Sequence, residues 1–152
     1  MGEKDLVRAT LASLGARERF WRLAIKPGKP LLHCRLDVTR VFGLPGNPTS
    51  ALVTFELFVR PLLRRLQGLA PDGVPLPGRT VLPLRKAAGL RHYLRATVEV
   101  RDGALWATPL PTQGSGALRS AARATHLVVL PENVTQLSPG DPVGLVPVHW
   151  MA

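Results

Sequence analysis

The spacing of proline and glycine constrains this chain more than any other feature. Fifteen prolines and 14 glycines interrupt 152 residues, and they crowd together in Pro71-Asp72-Gly73-Val74-Pro75-Leu76-Pro77-Gly78. Proline removes a backbone donor and turns the preceding residue away from helix, while glycine admits turns closed to other residues. Short elements joined by many turns are therefore expected. The hydrophobic pattern also changes across this crowded segment, so the chain divides into a unit at 1–70, a linker at 71–78 and a unit at 79–152. No apolar stretch is long enough to cross a membrane, and no apolar core follows Met1 as a secretory signal would require. Cys34 is the single cysteine, which excludes an internal disulfide and suits a reducing cytoplasm.

The first unit reads as α/β. Leu6, Val7, Leu11 and Leu14 repeat at helical spacing, and Gly15 is placed to end that helix. Phe20–Ile25 reads as a buried strand, closed by the turn Lys26-Pro27-Gly28-Lys29-Pro30. Val41–Leu44 reads as a second strand that runs into Pro45-Gly46-Asn47-Pro48-Thr49-Ser50. An apolar helix pattern follows through Ala51, Leu52, Phe55 and Phe58, with Asn47 as N-cap, Pro48 as first helical residue, a kink at Pro61 and an end at Gly68. The second unit reads as all-β. His92–Val100 alternates, with Leu94, Ala96, Val98 and Val100 on one face and Tyr93, Arg95, Thr97 and Glu99 on the other. Asp102-Gly103 turns the chain into Ala104–Thr108, and Leu127–Leu130 and Val143–Val148 complete the expected strands of a small barrel or sandwich.

Twenty Lys+Arg against 10 Asp+Glu give a net charge of +10, which favours anionic partners. Three local features fit an anion. A glycine turn at a helix start, as in Pro45-Gly46-Asn47-Pro48-Thr49-Ser50, offers unpaired N–H groups and the positive end of the helix dipole. Lys26 and Lys29 place two ammonium groups on a turn stiffened by proline, and Arg22, four residues before Lys26, is expected on the same strand face. Gln113-Gly114-Ser115-Gly116 can present amides and one hydroxyl, with Arg95 projecting from the polar strand face. No histidine stands where it would activate Ser115. His33, His92, His126, His149 and Cys34 lack zinc-ligand spacing and read as structural. A basic nucleic-acid-binding protein is the competing reading of the charge; few aromatics and no nucleic-acid motif weigh against it.

Phe20-Trp21-Arg22-Leu23-Ala24-Ile25-Lys26-Pro27-Gly28-Lys29-Pro30 and Val41-Phe42-Gly43-Leu44-Pro45-Gly46-Asn47-Pro48-Thr49-Ser50-Ala51 closely resemble the molybdopterin molybdenumtransferases, the MoeA and gephyrin E-domain family. Gly2-Glu3-Lys4-Asp5 resembles the end of that family's Gly-Gly-x-Ser-x-Gly-x-x-Asp signature, and Arg95 and Gln113-Gly114-Ser115-Gly116 fit its C-terminal domain in order and spacing. The resemblance implies that residues 1–70 are the C-terminal part of a molybdopterin-binding α/β domain and 79–152 a C-terminal β-barrel domain. It implies insertion of molybdate into adenylylated molybdopterin with release of AMP, with magnesium as the divalent cation, in a cytoplasmic homodimer that takes neither nucleic acid nor membrane as partner. Position by position, it makes Asp5 a catalytic and metal-binding residue, and Lys26 and Arg22 catalytic cations. Lys29, Pro45, Gly46, Asn47, Pro48, Ser50, Arg95 and Ser115 become substrate contacts. Cys34 stands where the family usually has glycine, and Thr49 where it usually has valine. Family members are far longer, so the chain is expected to be a C-terminal piece; a non-catalytic pterin- and anion-binding module is the alternative to an enzyme.

Overall fold

A hairpin with a wide connection organises the first unit of the computed structural model, which describes residues 6–72, 74–114 and 117–150. Helix α1 (Val7–Ser13) ends at Gly15, whose φ of +82° suits a residue without Cβ. Strand β1 (Arg17–Trp21) then pairs antiparallel with β3 (Leu32–Leu36), which pairs antiparallel with β4 (Thr39–Gly43). The expected strand over Phe20–Ile25 is instead two elements. The chain leaves β1 at Arg22, whose φ is +68°, and resumes as the two-residue strand β2 (Ile25–Lys26). Backbone bonds from Arg22 N–H to Leu31 O (3.2 Å) and from Leu23 N–H to Lys29 O (2.8 Å) close the connection. Hydrogen bonding across the connection outweighs the extended run that the apolar residues suggest.

The helical segment is built largely as expected. Helix α2 (Pro48–Thr54) starts with Pro48 after the extended Asn47. A π-turn at Phe55–Val59 leads into α3 (Arg60–Leu66), and Gly68 follows with φ +76°. Pro61 has no N–H for the carbonyl of Leu57, and the π-turn directly before it is the form the expected disruption takes.

The second unit is a closed five-stranded barrel. Its strands are β5 (Leu76–Thr80), β7 (Arg91–Arg101), β8 (Ala104–Pro109), β9 (His126–Leu130) and β11 (Pro142–Pro147), with β6 (Leu84–Arg85) and β10 (Gln136–Leu137) as a small side pair. The order is β7-β8-β5-β11-β9, and pairing of β9 with β7 closes the ring. Asp102 and Gly103 both take positive φ, the geometry of a two-residue hairpin turn. Leu84, Ala96, Ala107, Val128, Leu130, Val143 and Leu145 fill the interior. Strand β5 begins at Leu76, inside the segment read as linker. A Cβ on Gly78 would lie 2.3 Å from Leu145 Cδ1, so the glycine there serves close packing of the barrel wall. Helix α4 (Leu118–Arg123) bridges β8 and β9 in sequence.

Contacts of two kinds, strand pairing and apolar packing, fasten the units together. Ile25 and Lys26 of β2 pair in parallel with Arg91 and His92 of β7, adding a sixth strand to the barrel sheet. Val53 of α2 packs against Leu127 and Val146 of the barrel, with Leu57, Tyr93 and Trp150 around them. Beside this cluster Glu56, only 4% exposed, accepts from His149 Nδ1 at 2.7 Å and pairs with Arg60 Nε at 3.3 Å. Replacing the carboxylate leaves His149 Nδ1 without its partner, while Arg60 keeps Asp72 at 3.0 Å. Glu56→Leu is expected to lower stability by about 1–3 kcal/mol in urea unfolding, since lost hydrogen bonds to charged groups fall in that range. An unchanged midpoint would show that this ion pair does not hold the units together.

Candidate functional site

Lys26 owes its position to β2. Its strand partner on β7 is His92, and the Arg91 N–H donates to Ala24 O at 2.9 Å, so the turn that begins at Lys26 is fastened to the barrel rim. The Lys26–Pro27 peptide is cis, and Gly28 follows with φ +108°. Gly28 lies against α2. A Cβ there would come within 2.3 Å of the Thr54 methyl, whose hydroxyl is turned away to the carbonyls of Ser50 and Ala51 at 2.8 and 3.1 Å. The turn therefore meets α2 at Thr54, six residues beyond Pro48 and roughly 9 Å along the axis from the helix start. Lys26 and Lys29 are both exposed.

Arg22 does not share a strand face with Lys26, as the periodicity had suggested. It stands beyond the end of β1 in a left-handed conformation, and its guanidinium lies 4.1 Å over the Trp21 ring, whose other guanidinium neighbour is Arg8 at 4.0 Å. A left-handed non-glycine residue carries no signal in a single sequence.

At the start of α2, Asn47 occupies the cap position without a side-chain cap bond, and its Oδ1 is buried with no partner. Thr49 Oγ1 is likewise buried and unpartnered. Pro45, Thr49 and Ser50 are buried, while Gly46 and Pro48 are exposed. The first-turn amides thus have no side chain folded over them, which is the condition under which a helix start accepts an anion.

Arg95 departs most from expectation. Alternation assigns it to the polar, solvent-facing side of β7, yet it is 1% exposed. The loop after β8 covers it. Arg95 Nη2 donates to Thr112 O at 2.9 Å and Gly114 O at 3.1 Å, while Nε and Nη1 are buried without partners. Gln113 locks this loop to the strand. Its Oε1 accepts from the Arg95 N–H (3.0 Å), and its Nε2 donates to Arg95 O (2.9 Å) and Leu110 O (2.7 Å). Burial pushes the Arg95 guanidinium below its ordinary pKa, and no carboxylate pairs with it among the described residues. A buried cation held by carbonyls alone leaves charge for an anion to meet. Nothing in a Gln-Gly-Ser-Gly turn marks its glutamine side chain as the group that ties the loop to β7.

Lys26 and Arg95 are joined through β7. Arg95 lies three residues past His92, roughly 10 Å along the strand and on the alternate face. Asp5 and Ser115 lie outside the described residues. Among the described residues no three His, Cys, Asp or Glu side chains come together as a cation site. His33 stacks on Phe42 at 4.4 Å, and Cys34 is a buried free thiol.

Two family profiles match the chain: "MoeA C-terminal region (domain IV)" over residues 78–148 and "Probable molybdopterin binding domain" over residues 1–65. A molybdopterin molybdenumtransferase of Haemophilus influenzae is 33% identical, over 99% of this chain and 38% of that protein. One from Synechococcus elongatus is 37% identical, over 94% of this chain and 35% of its own length. The crystal structure of a molybdopterin biosynthesis MoeA protein from Pyrococcus horikoshii superposes with a TM-score of 0.78 at 32% identity, covering 94% of this chain and 34% of that one. The chain thus spans a little over a third of the length of these relatives.

Burial, first, and the charges of Lys26 and Lys86, second, hold His92 below the ordinary histidine value. His33 and His126 are lowered too, chiefly by burial. A histidine with a lowered folded pKa binds fewer protons folded than unfolded, so its contribution is present above about pH 6.5 and is lost as pH falls below that value. Proton NMR titration is expected to find His92 below 6.5, with thermal stability declining from pH 7 to pH 5. A His92 titrating above 6.5 would contradict its burial beside Lys26 and Lys86.

Proposed function

Because the chain belongs to the molybdopterin molybdenumtransferase (MoeA) family as a C-terminal portion of it, we propose that it acts in molybdenum cofactor biosynthesis, inserting molybdate into adenylylated molybdopterin with release of AMP. The observation that carries this reading is Arg95, a buried guanidinium with two unpartnered nitrogens behind a loop fixed by Gln113. Molybdate, a pterin phosphate and an adenylate are all anions, and each calls for cations and backbone amides rather than an apolar pocket. Lys26 supplies an ammonium group at the barrel rim and Lys29 another on the same turn, with Arg22 a third cation beside the same connection. The turn at Pro45, Gly46, Asn47 and Pro48, with Ser50, supplies helix-start amides. Arg95 holds the loop that leads to Ser115, whose hydroxyl is assigned a hydrogen-bonding contact and not a nucleophilic one, since no histidine is placed to activate it. Cations fixed beside the phosphate linkage stabilise the charge that gathers on AMP as it departs.

The described residues do not fit magnesium. The groups around the turn are cationic, the cluster of oxygen ligands that the ion prefers is missing among them, and Asp5 lies outside them. No step is assigned to the metal. The same reading carries a cytoplasmic location and a homodimer, and no helix is long and apolar enough to cross a membrane.

The test is equilibrium binding of adenylylated molybdopterin, with and without molybdate, to the 152-residue chain and to Lys26→Ala. Lys26 is exposed, so its removal should leave the melting temperature nearly unchanged. Affinity should fall at least tenfold. Equal affinity in Lys26→Ala would remove that lysine from the site. Binding of a mixed oligonucleotide with steep salt dependence and no pterin binding would replace the reading with nucleic-acid recognition.

A further inference from the structure

Like charges meet in register at the far end of the three-stranded sheet. Strand pairing sets Arg17 of β1 opposite Arg35 of β3, and Arg35 opposite Arg40 of β4. One arginine from each of three adjacent strands therefore stands in a row roughly 10 Å wide. The register slips between Glu18 and Phe20, leaving Arg19 as the extra residue of a bulge. This slip lets Arg17 and Arg19 line one cleft of about 400 Å³ together with Gly15, Arg35 and Asp37. It also brings Phe20 back to pack on His33 and Phe58, at 5.4 and 6.5 Å between ring centres.

Among the described residues, Arg17, Arg19 and Arg40 make no ion pair, in contrast to Arg8, Arg60, Arg64, Arg91 and Arg101, each of which has a carboxylate. Of the two nearby acids, Glu18 is held by Arg8 at 2.6 Å and is the strand partner of Cys34, on the other face, while Asp37 lines the cleft itself as one carboxylate among three arginines and makes no ion pair among the described residues. Arg35 Nε donates to the Asp37 carbonyl at 2.6 Å, which fixes the guanidinium and leaves its two Nη groups for another acceptor. Like charges directly opposite in a sheet are destabilising. A surface whose only duty is solubility intersperses the two signs. An aligned row kept against that cost marks a place where a counter-charge is supplied from outside.

We infer that Arg17, Arg19, Arg35 and Arg40 form a second anion site, which binds a small polyphosphate such as the phosphate chain of a nucleoside di- or triphosphate. Guanidinium forks pair bidentately with phosphate oxygens, and several in a row match linked phosphates. The cleft has the volume of a small-ligand site. A single-stranded nucleic acid fits less well, because its bases need open aromatic faces. Trp21 is stacked by Arg8 and Arg22, and Phe42 by His33. The row is separate from the site at Lys26. It lies at the Arg17 end of β1, four residues and roughly 13 Å from Trp21, after which the connection to Lys26 begins.

Sodium tripolyphosphate titrated into the 152-residue chain, followed by amide NMR, is expected to shift the resonances of Arg17, Arg35 and Arg40 with one affinity. The double variant Arg17→Gln/Arg40→Gln should bind at least tenfold more weakly at this site, yet melt at the same or a higher temperature without ligand, because a repulsion has been removed. Lys26→Ala should leave these shifts and their affinity unchanged, so failure of the proposed function and failure of this site are told apart. Absent shifts at the three arginines, equal affinity in the double variant, or a lower melting temperature of the ligand-free variant would each overturn the inference. A 20-nucleotide single strand that binds here more tightly than tripolyphosphate would overturn the choice of a small ligand.

Discussion

Two residues of parallel pairing, Ile25 and Lys26 against Arg91 and His92, connect everything else in this structure. The first unit contributes a cationic turn and a helix start; the barrel contributes a buried arginine and the loop it holds. Without the β2–β7 joint these belong to separate bodies. With it, the turn is fastened to the same strand that carries Arg95, and strand geometry fixes its distance along that strand. The apolar contact of Val53 with Leu127 and Val146 and the Glu56–His149 pair then hold α2 against the barrel.

Charge follows the same division. Among the described residues Glu18, Asp72, Glu99 and Glu132 pair with arginines on the outer surfaces and the buried Glu56 pairs with Arg60, whereas Arg95 sits among carbonyls alone. Burying a cation without a counter-ion costs several kcal/mol unless its protons are bonded. Gln113 reduces that cost by fixing the loop whose carbonyls take Nη2, and two nitrogens remain. A ligand anion is the complement that the proposed function would supply to those two nitrogens.

Much of this was legible in the sequence, and the remainder has physical reasons. The alternation of His92–Val100 and the Asp102-Gly103 turn identify the barrel hairpin, because period-two patterning and a positive-φ turn are local properties. Asn47-Pro48 likewise marks the start of α2. Strand β5 was hidden because Gly78, which reads as linker, is required by the Leu145 side chain across the barrel, a contact between residues distant in sequence. The split of Phe20–Ile25 was hidden because nothing in the sequence marks Arg22 as left-handed. Burial of Arg95 was hidden because alternation reports which face a residue is on, not whether a later loop will cover that face. The stretches Phe20–Pro30 and Val41–Ala51, which carry most of the family resemblance, are legible because each is contiguous.

The central claim is that both units serve one ligand through β7. Amide hydrogen exchange on the intact chain, with and without adenylylated molybdopterin and molybdate, measures this at two bonds. The Arg91 amide donates to Ala24 O at the joint, and the Leu110 amide donates to Arg95 O beneath the loop. If the account is right, ligand slows exchange at both amides with the same concentration dependence. Slowing at one of them alone, with the other unchanged at saturation, would contradict it.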